Sequence, residues 1–306
     1  MTRGALLLAL LPLLGPAQGQ GGTPPAPAET PPPAAPQTSP EARAAWEAVV
    51  AAMTVPGQRQ AVTSFELRAH VTARQGVQSN DFEAFYRFLS SGGATPGFIR
   101  FGLGANRETG RGPGKGQKAY WLKDGEQVTV LDGREYEADR NLVRRMTTIA
   151  GNLLALSDPS KIRTESLDLR PGPPPGLPAK LARPRLNWIE LVSPDFDLYR
   201  DEPPVNRDPA LPRLFRVQVG ADKKTQLPSL VVLREEGLPA EVTGEPLLFE
   251  LLDYRPVDGY LLPHGIRVWG VDTGTPGQPF QAAPGQEISV LYADLTPGLA
   301  PADFEP

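Results

Sequence analysis

Along the chain the spacing of apolar residues changes period, and each change marks an element. Residues 5–14 (ALLLALLPLL) form an apolar run behind Arg3. Residues 20–40 carry eight prolines, a single charge and no apolar rhythm. In EARAAWEAVVAAM, residues Trp46, Val49, Val50 and Met53 then recur at i, i+3, i+4 and i+7, which predicts an amphipathic helix over 41–53. Ser39 and Pro40 supply its cap and first turn, and Pro56-Gly57 stops it. Thereafter the period drops to two. Phe65, Leu67, Ala69 and Val71 alternate with Glu66, Arg68, His70 and Thr72, as in a strand with one dry face. Runs at 82–89 (FEAFYRFL), 98–103 (FIRFGL), 119–122 and 127–131 read as further strands, punctuated by Asp-Gly turns.

Helical spacing returns over 139–157, where Leu142, Met146, Ile149, Leu153 and Leu156 share one stripe. A Pro-rich stretch at 171–184 reads as a loop. Strands are expected near 186–192, 196–200, 214–220, 230–235, 247–254, 264–272 and 287–292. Phe215, Val217 and Val219 alternate with Arg216 and Gln218, and Phe249 and Leu251 oppose Glu250. Ten to twelve consecutive strands with only two helices exclude a parallel α/β sheet. The expected class is α+β: a large curved antiparallel sheet, an unclosed half-barrel. The N-terminal and central helices cover its concave face, and the other face is largely wet. Incomplete filling of the concavity would leave an apolar cavity. Its candidate lining is Phe65, Leu67, Phe101, Phe215, Val217, Phe249 and Leu251 from the strands, with Met146, Ile149 and Leu153 from the central helix. Trp46, Trp121, Trp188 and Trp269 read as core or cavity wall.

Composition narrows the chemistry. The chain has 306 residues, no cysteine and two histidines, which removes disulfides, thiolate metal sites and Cys nucleophiles. A net charge of −4 offers no general attraction for nucleic acid or an anionic membrane. Arg3, the apolar run and Ala17-Gln18-Gly19 read as a secretory signal peptide over 1–19. The run is half the ~20 residues needed to span a bilayer. The expected organisation is therefore a signal peptide (1–19), a stiff Pro-rich disordered tether (20–40) and one domain (41–306). The mature chain, cut after Gly19, would be extracytoplasmic, monomeric and without a transmembrane segment.

On this organisation the chain resembles the outer-membrane lipoprotein carrier and sorting proteins (the LolA/LolB-like family). The residues that carry the resemblance are 118–136 (KAYWLKDGEQVTVLDGREY), the leucines at 153, 154 and 156, and 252–269 (LDYRPVDGYLLPHGIRVW). Tyr254, Gly259, Leu262 and Pro263 are its most specific part, and the close at 299–306 (LAPADFEP) adds to it. The resemblance implies an unclosed barrel with a helical lid and a cavity for acyl chains. It also makes Arg100 a candidate for the arginine that locks the lid. The chain departs from the family in its tether, its Gly-rich stretch at 104–117 and its insert at 171–184.

Other motifs fail. Gly114-Lys115 lacks the Walker spacing, and no G-x-S-x-G is present. Asp195, Asp197, Asp201 and Glu202 cluster without calcium-loop spacing. Arg144-Arg145 reads as a solvated helix face, His70 as the polar side of a strand and His264 as an edge residue. No catalytic residue, metal or cofactor is expected. The leading expectation is a non-enzymatic binding protein for lipid or lipidated protein. The alternatives are an envelope sensor or interaction domain contacting another envelope protein, and a hydrolase using the 195–202 carboxylates.

Overall fold

A computed structural model of the chain describes residues 38–58, 64–75, 78–90, 96–103, 118–123, 126–131, 134–136, 164–193, 214–236, 246–270, 280–295 and 297–304. The expected signal peptide, most of the expected tether, the expected central helix, the 104–117 stretch, the expected strand at 196–200 and the carboxylates at 195–202 lie outside them.

Helix α1 spans Pro40–Ala52. It starts where the cap residue predicts: Ser39 accepts a hydrogen bond from the Ala42 amide at 3.0 Å, and Pro40 occupies the first turn. The strands are β1 Ser64–Gln75, β2 Gln78–Ser90, β3 Pro96–Leu103, β4 Lys118–Lys123, β5 Glu126–Leu131, β6 Arg134–Tyr136 and β7 Ser166–Arg170. They continue with β8 Leu186–Ser193, β9 Leu214–Asp222, β10 Pro228–Glu236, β11 Leu247–Val257, β12 Tyr260–Trp269 and β13 Gln286–Asp294.

These thirteen strands form one antiparallel sheet in the order β6-β5-β4-β3-β2-β1-β13-β12-β11-β10-β9-β8-β7. The chain runs outward from β1 to β6, then returns from the far edge at β7 until β13 pairs with β1. The β6 and β7 edges do not pair, so the curved sheet is an unclosed half-barrel with a helix. The β11–β12 turn is made by Asp258 and Gly259, with φ of 46° and 84°, the double positive-φ geometry that twists two strands together. The Asp258 carboxylate accepts the Leu295 amide at 2.8 Å, which ties this turn to the end of β13.

Cross-strand rows show how alternation becomes two faces. One row runs Ile189, Val219, Val231, Phe249, Val268; a second runs Leu167, Leu191, Val217, Leu233, Leu247. Both rows lie on the side covered by α1, where Trp46, Val49 and Met53 complete the main core. The helix is pinned at both ends. The Ser39 amide donates to the Leu167 carbonyl of β7, and the Leu261 amide of β12 donates to the Met53 carbonyl. Thirteen residues make a helix of about 20 Å, close to the ~24 Å across five strand spacings, so α1 lies across the strands from β7 to β12.

The opposite, outer face is not wet there. Leu186, Trp188, Leu230, Val232, Leu248, Trp269 and Phe280 form a second buried cluster, joined by Leu181 and Leu177 of the Pro-rich insert. The insert carries its own turn, with the Leu181 and Ala182 amides donating to Pro178, and folds back onto the sheet. Gly220 makes room for this layer: a Cβ there would stand 3.0 Å from the Trp188 ring. Strand β7 (Ser-Leu-Asp-Leu-Arg) is an addition to the expected strands: its alternation spans only five residues, of which only Leu167 is buried. His264 is not an edge residue. Strand β12 begins at Tyr260 and lies between β11 and β13, which buries the imidazole with Nδ1 3.0 Å from the Leu262 carbonyl.

Candidate functional site

The helix-side face divides along the sheet. Over β7–β12, Phe215, Val217 and Leu251 are buried in one cluster with α1, and Phe249 packs half-buried against it. Past β12, whose Ile266 and Val268 still belong to the α1 cluster, the apolar face continues. Ile266, Ile288 and Val71 stand directly opposed across β12, β13 and β1, and Phe65, Ala69 and Val290 are buried nearby in sequence and register. Leu67 and Ile288 are half-buried.

The register separates the remaining strand candidates. Leu67 opposes Tyr86, Tyr86 opposes Phe101, and Phe101 opposes Tyr120, so Phe101 stands in the row of Leu67. Glu66 opposes Arg87, Arg87 opposes Arg100, and Arg100 opposes Trp121, so Arg100 and Trp121 stand in the row of Glu66. Directly opposed residues share a face and successive residues alternate. Phe65, Leu67 and Phe101 are thus placed on one face, and Arg100 and Trp121 on the other. Met146, Ile149 and Leu153 lie outside the described residues. Tyr254, singled out by the sequence, packs on the helix-side core, and its hydroxyl donates to the Pro228 carbonyl at 2.7 Å. Burial pushes its phenol far above the usual tyrosine range.

The outer face holds a feature the sequence reading missed. The row Trp188, Gly220, Leu230, Glu250, Arg267, Glu287, Thr72 crosses from β8 to β1 and turns from apolar to charged midway. Glu250 is only 3% exposed and accepts from Arg183 at 2.7 Å and Arg267 at 3.3 Å. Glu287 accepts from Arg74 at 2.6 Å and Arg267 at 3.2 Å. A cleft of about 310 Å³ opens above this network, lined also by Lys180, Leu181, Trp269 and Pro284. The signal was present in the apolar neighbours of Glu250 and in the Leu177/Leu181 spacing inside a segment whose prolines suggest solvent. A parallel network lies on β8–β9, where buried Glu190 bonds Arg216 and accepts from Gln218 at 2.6 Å.

Among the described residues no group of three His, Asp or Glu is placed to hold a metal ion, and no helix is long and apolar enough to cross a membrane. His70 sits on the polar side of β1, its Nε2 3.5 Å from Asp81.

No family model matches the chain, and no curated protein sequence matches it. Solved structures do. A LolA superfamily protein from Nitrosomonas europaea is 10% identical, with a TM-score of 0.45 over 87% of this chain and 97% of that one. A structure described as an outer membrane lipoprotein-sorting protein domain, from Vibrio parahaemolyticus, is 10% identical, with a TM-score of 0.44 over 86% and 97%. A DUF1329 family protein from Desulfovibrio piger is 12% identical, with a TM-score of 0.39 over 86% and 97%. The similarity to these LolA-superfamily, lipoprotein-sorting and DUF1329 structures is one of fold, at 10–12% sequence identity.

Proposed function

We propose that this protein is an extracytoplasmic, non-enzymatic carrier whose helix-side face binds lipid or the acyl chains of lipidated proteins. One observation carries the reading. The apolar helix-side face continues from the α1 cluster, which ends on β12 with Ile288 of β13 packed against it, onto Val71 and its neighbours on β1, in a sheet that does not close on itself. An apolar concavity of this kind gains dispersion contacts and sheds water when a chain of methylenes enters it. Each buried methylene contributes about 0.8 kcal/mol, so partial burial of one long acyl chain reaches micromolar affinity, about 8 kcal/mol. The cavity in this proposal is lined by Phe65, Leu67, Phe101 and Ile288, with Met146, Ile149 and Leu153 of the central helix closing it. The signal peptide over 1–19 delivers the chain across the membrane, and the Pro-rich tether precedes the domain.

The test is titration of delipidated full-length mature protein with a fluorescent long-chain fatty acid. Saturable binding in the micromolar range is expected. Leu67→Asp would place an unpaired charge on this face and weaken binding at least tenfold, while the half-buried position leaves the fold intact by circular dichroism. Absence of saturable binding in the wild type overturns the reading, and so does wild-type affinity in folded Leu67→Asp.

A further inference from the structure

We infer that the outer-face cleft between the insert and the 280–287 segment is an anion site for a phosphate monoester. It lies on the opposite face from the acyl site and does not depend on it. Four cations line the cleft (Arg74, Lys180, Arg183 and Arg267) against two carboxylates, Glu250 and Glu287. Both carboxylates are already shared between two guanidinium groups each. The cleft therefore holds two positive charges in excess.

Lys180 contributes the least committed of them. Its ammonium donates to the Ala282 carbonyl at 2.7 Å and lies 4.5 Å from the centroid of the Trp269 ring. It has three donors, and among the described residues it meets no carboxylate. Trp269 itself is buried, and among the described residues its Nε1–H meets no acceptor. The arginines are held in advance. Buried Glu250 fixes Arg183 and Arg267 from beneath, so their remaining N–H groups need little reorganisation to meet an anion.

Charge and shape select the ligand class. A phosphate monoester carries about −1.5 to −2 near neutral pH and offers three acceptor oxygens, which matches the excess. Guanidinium forks suit its oxygens better than a point charge would. A carboxylate would neutralise half of that excess. Leu181, Trp269 and Pro284 supply apolar wall for a short carbon body attached to the phosphate. A phosphomonoester lipid headgroup and a small soluble organic phosphate share this chemistry.

The experiment uses the full mature chain and two probes. Glycerol 3-phosphate is titrated calorimetrically. Phosphatidylcholine vesicles, with or without phosphatidic acid, are tested by co-sedimentation. Lys180→Gln and Arg74→Gln are the informative variants, because Glu250 keeps both its guanidinium partners and Glu287 keeps Arg267. Saturable binding is expected for at least one probe, weakened about tenfold by each variant with unchanged Tm and unchanged fatty-acid binding. Lys180→Arg should retain affinity. Binding of phosphatidic acid vesicles alone assigns a headgroup, and binding of glycerol 3-phosphate alone assigns a soluble phosphate; either supports the site. Failure of both probes to bind, or wild-type affinity in both Gln variants, overturns it, whatever the fatty-acid result.

Discussion

Glu250 and Tyr254, four residues apart on β11, show how far single side chains could be read from the sequence. Alternation places Glu250 opposite Phe249 and Leu251, and the structure keeps that placement. Alternation says which face, however, and not whether that face meets water. Glu250 is among the most buried carboxylates of the described chain because a segment distant in sequence folds over it. Tyr254 was legible as special, but its partner, the Pro228 carbonyl of β10, was not, since nothing local encodes a contact 26 residues back. Its raised pKa makes a signed prediction. The folded protein retains the phenolic proton where the unfolded chain, with a pKa near 10, loses it. The stabilisation is therefore complete below about pH 10 and declines as pH rises from there. Urea melts should show wild-type stability falling by up to ~1.4 kcal/mol per pH unit above pH 10 from this group. In Tyr254→Phe that part of the slope should vanish, while stability at pH 7 falls by about 1 kcal/mol for the lost hydrogen bond. Equal slopes in the two proteins would show that Tyr254 ionises freely.

At the level of elements, capping and periodicity located α1 and several of the long strands among the described residues, although β12 starts at Tyr260, four residues before the expected strand. Helix α1 begins at Pro40 as the Ser-Pro pair predicts, and strands β1, β2, β9 and β11 follow their alternating residues. Short or irregular pieces were not legible. Strand β7 alternates over only five residues, Ser-Leu-Asp-Leu-Arg, and as an edge strand it exposes Leu169, so its pattern is too short to stand out. The insert at 171–184 offers only the Leu177/Leu181 pair among its prolines, yet it covers Trp188 and Trp269. A helix of 13 residues is marginal in isolation, which gives its cap measurable weight. Ser39→Ala removes the acceptor for the Ala42 amide and should cost about 1 kcal/mol, whereas Ser39→Asp should restore it, with a gain from the carboxylate at the helix N-terminus. The backbone bond from Ser39 to Leu167 survives both changes, so thermal melts isolate the cap. A Ser39→Ala protein as stable as wild type would mean that the first turn is held by tertiary packing alone.

For the whole molecule, the decisive property is that the sheet is covered unequally. Strands β8–β12 have α1 and the main core on one face and the insert with its Trp188/Trp269 cluster on the other. Around Trp188, Leu230, Val232 and Leu248 that arrangement excludes water from both sides of the ladder, as in a parallel sheet, although every pairing is antiparallel. Strand β1 differs. Its helix-side residues Phe65, Ala69 and Val71 are buried, while its outer side carries Glu66, Arg68, His70 and Arg74, of which Arg68 and Arg74 are exposed. Its outer ion pairs, such as Arg74 with Glu287, are partly solvated and contribute little. Amide exchange rates follow local opening, and opening costs least where few apolar contacts are lost. The amides of Val217, Val219, Val231 and Leu248 should therefore exchange only through global unfolding. Those of Leu67, Ala69 and Val71 should exchange at least tenfold faster in the ligand-free protein. Fatty acid bound to the helix-side face would add apolar contacts to β1, β3 and β13 but not to β9–β11, so saturation with it should slow β1 exchange toward the rate of β9–β11 and leave the latter unchanged. Equal protection of β1 and β9 without ligand would show that the two parts of the sheet open together, and an acyl chain would then have no softer side through which to enter.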